Sequence, residues 1–236
     1  MLRCIYIYPL LLSLLFLFNS CQKQNEIVSE TRTLSPFTTL DVYDKIDVYY
    51  TQDTGYNIRV VAEQKLQAKI STEVSGGVLT IKDNNKFNFL RGSHAGITVY
   101  VTAPFIRTLK QNGVGTIYCT NTIKEDTICY SIQNSGDIHM NVNVISITGS
   151  MYGVGDVYLN GTAQFHNVNA AGECFVNAQG LTTNYTFIVY NSTGQANVNA
   201  TVELDAVTNY SGNIYYTGNP SVIHKSGTGS GKLIPN

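Results

Sequence analysis

Tryptophan is absent from this sequence and charge is scarce. Asp, Glu, Lys and Arg make up 13% of 236 residues, about half of the roughly 25% usual in globular chains. A chain so poor in charge must wet its surface with neutral polar groups. Asn, Thr, Ser, Gly and Tyr supply them here, and these are residues of strands and tight turns. Cations are scarcest in the second half. From Asn112 onward there is no Arg, only Lys124, Lys225 and Lys232 against seven acids. That excludes the basic footprint of a nucleic-acid binder.

Cysteine is sparse and unpatterned. Cys4 and Cys21 lie near the start, leaving Cys119, Cys129 and Cys174. An odd number without C-x-x-C spacing fits neither a disulfide framework nor a zinc site. These three read as small buried hydrophobes. Patterns of the G-x-S-x-G, H-E-x-x-H and phosphate-loop kinds are also missing. His94, His139, His166 and His224 fall in unrelated contexts and read as surface residues, not ligands. Five Asn-x-Ser/Thr sequons, at Asn160, Asn184, Asn191, Asn199 and Asn209, read as turn residues.

No apolar run reaches the roughly 20 residues of a membrane span. The longest, Ile5 to Phe18, follows Met1-Leu2-Arg3 and is broken by Pro9 and Ser13. Its length and flanking charge suit the core of a signal peptide. Ser20-Cys21 at its end, before the polar Gln22-Lys23-Gln24-Asn25-Glu26, resembles a bacterial lipobox. On that reading residues 1–20 are a lipoprotein signal peptide, Cys21 carries lipid, and residues 21–30 form a tether. Gln22 in place of Asp argues against retention at an inner membrane. The expected location is the cell envelope, lipid-anchored, in the outer membrane of a Gram-negative bacterium.

What the sequence does contain is a repeat. After Lys110 a unit of Gly, polar, apolar, variable, apolar recurs from Gly115, Gly136, Gly155, Gly172, Gly194, Gly212 and Gly231, at spacings of 21, 19, 17, 22, 18 and 19 residues. Each unit alternates with period two, the mark of a strand with one buried face. Stacked as coils of a β-solenoid at about 4.8 Å, the units predict an inward column of Ile117, Ile138, Val157, Cys174, Ala196, Ile214 and Leu233. A second column would be Cys119, Met140, Leu159, Val176, Val198 and Tyr216. The Gly column would supply corners with positive φ. The last copy, with Pro235, reads as a terminal cap.

Two outward columns follow from the same register. Asp137, Asp156 and Glu173 would stack on consecutive coils, as a solvated acidic ladder or a weak Ca²⁺ site. Beside them Tyr118, His139, Tyr158, Phe175, Asn197 and Tyr215 would form a strip, mostly aromatic, serving as a contact surface or as cross-coil stacking. Residues 31–111 lack the Gly period and show longer alternating runs, with a turn at Ser75-Gly76-Gly77. A short helix is expected within 62–70 and a polar loop at 83–96. The expected fold is all-β: a β-solenoid of about 19 residues per coil over 112–236, preceded by the longer strands of 31–111 in the same domain.

Residues of about 34 to 234 resemble the auto-transporter adhesin head GIN domain family, common among Bacteroidetes lipoproteins. The resemblance rests on Phe37-Thr38-Thr39-Leu40-Asp41-Val42, Ile46-Asp47-Val48-Tyr49-Tyr50-Thr51-Gln52, Leu79-Thr80-Ile81, Val99-Tyr100-Val101-Thr102-Ala103-Pro104 and Asn112-Gly113-Val114-Gly115. It implies a right-handed parallel β-helix-like fold and a surface role, and brings no catalytic residues or cofactor. The leading expectation is a non-enzymatic envelope lipoprotein, adhesin-like or an assembly module. Its partners would be the membrane through its lipid, a glycan or protein ligand, and in one version further copies of itself. The alternatives are a purely structural spacer and a glycan-binding or glycan-cleaving protein using Asp137, Asp156 and Glu173.

Overall fold

The computed structural model describes residues 26–85 and 96–236. The signal peptide, Cys21, His94 and most of the expected polar loop therefore lie outside the described residues. Strands make up 70% and helix 2% of the structure, arranged as a solenoid of about seven turns with coils of about 19 residues. Among the described residues no helix is long and apolar enough to cross a membrane.

The regular coils are β9 (Thr116–Ile132), β10 (Asp137–Gly153), β11 (Val157–Gly172), β12 (Val176–Ser192) and β13 (Ala196–Thr208), each parallel to the next. Every one bends partway, so that its first residues build one face and its last residues a second. The next coil is split into β14 (Ile214–Thr217) on the first face and β15 (Val222–Ser226) on the second, and β16 (Leu233–Pro235) adds one further level on β14. Alternation drives this arrangement. Ile138, Met140 and Val142 are buried while His139, Asn141 and Asn143 point out. Burying each such aliphatic side chain stabilises by about 1.5–3 kcal/mol, and stacking merges them into one shared interior.

The N-terminal region is interwoven, not serially coiled. On the first face β9 rests on β3 (Ile46–Gln52), and β3 rests on β7 (Ile97–Ala103). Antiparallel β4 (Asn57–Glu63) and β1 (Ile27–Thr33) then close the end. On the second face β9 rests on β8 (Thr108–Gln111), which is followed by β2 (Thr39–Val42), β6 (Val78–Asp83) and β5 (Ile70–Ser75). Chain segments far apart in sequence thus alternate in one sheet. The turn at Gly76 and Gly77 has positive φ at both residues and joins β5 to β6, as a two-residue hairpin requires. The helix within 62–70 is one turn, Gln64–Gln67.

The observed register corrects one coil. Val176, not Cys174, lies beside Val157, and Ala196 follows Val176. Ile117, Ile138, Val157, Ala196, Ile214 and Leu233 hold their column, whereas Cys174 occupies the corner level with Gly155. The true corner series is Gly115, Gly136, Gly155, Cys174, Gly194, Gly212, Gly231, so spacings of 17 and 22 become 19 and 20. Gly172 matches Gly153.

The reason for glycine at the corner also differs from expectation. Gly155 does not have positive φ; a side chain there would overlap the Gly136 carbonyl of the coil beneath. Close approach selects glycine at this position, not backbone handedness. Cys174 fits the corner as a small residue, fully buried.

Candidate functional site

The outer surface of the first face carries both predicted ladders, and each is altered by the corrected register. Asp47, Thr116, Asp137 and Asp156 occupy consecutive levels at the corner. Their carboxylates are engaged with the backbone. Asp47 Oδ1 accepts the Thr116 N–H at 3.0 Å, Asp137 Oδ1 accepts that of Asp156 at 2.8 Å, and Asp156 Oδ1 accepts that of Phe175 at 2.8 Å. Asn213 does the same for Lys232 at 2.9 Å. A side-chain oxygen at this corner satisfies an amide where the strand pairing begins.

Glu173 is not in this series. It is exposed and lies two residues before the level that follows Asp156. The three acids therefore do not form a ladder, and among the described residues no group of three His, Cys, Asp or Glu side chains could hold a metal ion. Desolvation by burial pushes the Asp156 carboxyl above its ordinary value, with nearby Asp137 acting in the same direction and the Phe175 N–H against it.

The ring strip is longer at one end than the sequence reading and shorter at the other. Tyr100, Tyr49, Tyr118, His139 and Tyr158 stack in one unbroken column with centroids 5.3, 5.1, 4.9 and 4.2 Å apart. The Arg59 guanidinium caps the Tyr100 ring at 3.9 Å, a cation–π contact. Phe175 is not part of the column. Asn177 stands beside Tyr158 instead, followed by Asn197 and Tyr215. Phe175 sits at the corner level, 42% exposed. Tyr215 shares the column line but stacks on no ring among the described residues. Burial lowers the His139 imidazole's affinity for protons, while Asp137 opposes the shift.

Tyr49, Tyr100 and Arg59 are absent from the strip expected from the sequence because β3, β4 and β7 lie outside the Gly period. A signal for one of them exists: Asp47-Val48-Tyr49 repeats Asp156-Val157-Tyr158. The same triplet at Asp41-Val42-Tyr43 belongs to the second face, so the triplet alone does not place a residue.

In burial, His166, Cys119 and Cys129 also land differently from expectation, while His224 and Cys174 land as expected. His166 is fully buried, its Nε2 without a hydrogen-bond partner among the described residues, and desolvation lowers its pKa to about 4. His224 is exposed, 3.9 Å from Glu203. All three described cysteines are free; Cys174 is buried, whereas Cys119 and Cys129 are half-buried. Burial pushes the Cys119 and Cys174 thiols up, away from the thiolate a nucleophile needs.

Comparison with known proteins agrees with this architecture. A crystal structure of a putative adhesin from Bacteroides fragilis superposes with a TM-score of 0.81 at 22% identity, covering 91% of this chain and 99% of that one. A putative adhesin and a putative lipid binding protein, both from Parabacteroides distasonis, superpose with TM-scores of 0.71 and 0.70 at 19% and 20% identity. Each pairing covers 91% of this chain and 98% of the other. At these identities the likeness shows the fold. No curated protein matches. The family model described as "Putative auto-transporter adhesin, head GIN domain" matches residues 36–220, most of the chain, and the chain belongs to this head GIN domain family.

Proposed function

We propose that the protein is a non-catalytic lipoprotein of the cell envelope, held by lipid on Cys21, that presents the ring-bearing face of its solenoid to a partner at the cell surface. The adhesin-type family supports a surface or envelope role. The observation that carries the reading is the ring column itself. Five rings in mutual contact form a strip in which Tyr49, Tyr118 and His139 are stacked on both faces and Arg59 covers the outer face of Tyr100. A sugar ring finds no open aromatic face on these four rings. Ring edges and tyrosine hydroxyls remain, and these suit a flat protein surface, another copy included.

The glycan-cleaving alternative asks for carboxylates free to transfer protons. Asp137 and Asp156 each accept a backbone N–H, and Glu173 stands apart from them. The test has two arms. Protease added to intact cells is expected to digest the protein, and Cys21→Ala is expected to release it from the membrane fraction. Full protection from protease, or reducing-sugar release abolished by alanine at Asp137, Asp156 and Glu173, would overturn the proposal.

A further inference from the structure

The level preceding β9 is built from two unconnected strands, and they do not meet. Pairing with β3 ends at Cys119 and pairing with β8 begins at Cys129. Among the described residues, no strand covers that edge of β9 between them, although its other edge is paired to β10 through Thr122, Ile123, Lys124 and Glu125. A cleft of about 950 Å³ opens at this gap, with Arg107, Lys124, Asp126, Thr127, Asn143 and Ile145 among the residues lining it.

The edge is already in use by an amide. The Gln52 side chain accepts the Lys124 N–H at 2.8 Å and donates to the Lys124 carbonyl at 3.4 Å, as a neighbouring strand would. The same Nε2 bonds Glu125 Oε1 at 2.6 Å. At the other side of the gap the Cys129 N–H donates to the Arg107 carbonyl at 2.7 Å, so the stretch of edge between these two attachments is residues 125–128. Among the described residues no aromatic side chain lines the cleft, so these walls offer no platform for sugar stacking. Its walls carry both charge signs, Arg107 and Lys124 against Glu125 and Asp126, with Ile145 51% exposed beside them.

From this we infer that the notch between Gln52 and Thr108 is a binding site for an extended peptide segment, which adds as a short strand to the open edge of β9 and completes the interrupted level. Backbone pairing supplies the attachment, and the mixed charges with Ile145 select the side chains. The site is separate from the ring column.

The experiment titrates the full chain, in detergent, with a positional library of fluorescein-labelled peptides of alternating apolar and charged residues, about seven residues long. A panel of neutral and acidic oligosaccharides runs in parallel, with hydrogen exchange followed over residues 121–127. Expected are saturable binding of a subset of peptides, slowed exchange in 121–127, and at least about a tenfold loss of affinity in Ile145→Arg. Both Ile145 and Arg107 are exposed, so Arg107→Glu serves as a second variant with the fold intact. The inference is overturned if no peptide binds, if binding ignores both variants, or if oligosaccharides and not peptides slow exchange there.

Discussion

Gly149 shows how tightly single residues are fitted inside the coils. An added Cβ would overlap the Tyr130 ring, which fills the space left by the missing side chain one level away. Overpacking of this kind costs about 1–3 kcal/mol or more. Gly149→Ala is therefore expected to lower the unfolding free energy from denaturant titration by that amount, and pairing it with Tyr130→Leu should recover part of the loss. Asp156 is a second case. Asp156→Ala strands the Phe175 N–H and is expected to cost about 1–3 kcal/mol, while Asp156→Asn, which keeps an acceptor oxygen, should cost much less. Equal losses in both would show that charge, not the hydrogen bond, matters there.

His166 gives the interior a pH dependence. In the unfolded chain its imidazole takes up a proton near pH 6.5, whereas in the folded chain burial delays this to about pH 4. Stability from the neutral ring is thus intact above pH 6.5 and is lost progressively as pH falls toward 4. The gap corresponds to about 3 kcal/mol at 1.36 kcal/mol per unit. Chemical denaturation at a series of pH values should show this slope, and His166→Leu should flatten it by about one proton.

At the scale of elements, the ring column is a stabilising device before it is a surface. Tyr118 contacts a ring on each side, and ring pairs of this kind contribute about 0.5–1.5 kcal/mol each beyond their burial. Tyr118→Ala is expected to lose about 2 kcal/mol by thermal or denaturant unfolding, and Tyr215→Ala, outside the column, clearly less. The corner pattern was readable as a recurring Gly with an outward polar residue. The coil containing Cys174 misled that reading because Gly172 imitates the corner glycine two residues early. Only the pairing of Val157 with Val176 resolves which residue faces the narrow approach.

Across the whole molecule, a stack of strands has two ends, and each must be shielded from further pairing. Antiparallel β1 and β4 close the N-terminal end of the first face. At the C-terminal end β15 and β16 pair only inward among the described residues, toward β13 and β14. Lys225 there continues an inward column, level with buried Ala206, and its Nζ donates to the Gly231 carbonyl at 3.0 Å. Pro235 stands in the last strand, level with Tyr216. A charge and a missing N–H discourage addition of another strand. Replacing Lys225 and Pro235 together by Val is expected to produce end-to-end association in size-exclusion chromatography with light scattering. A variant whose association state does not change from that of the parent would assign the capping elsewhere.

The sequence alone determined the period, the strand alternation, most of the inward column and the ring residues Tyr118, His139 and Tyr158, because a stacked coil repeats its local environment every 19 residues or so. Such a pattern is local and survives without knowledge of distant contacts. Only tertiary structure decided what sits on the first coil. The joining of Tyr49, Tyr100 and Arg59 to the column and the gap between Gln52 and Thr108 depend on strands that interleave across separations of 41 to 69 residues, and the burial of His166 depends on the register of its coil between Ile147 and Thr186. Alternation says which way a side chain faces, but it does not say which strand lies beside it.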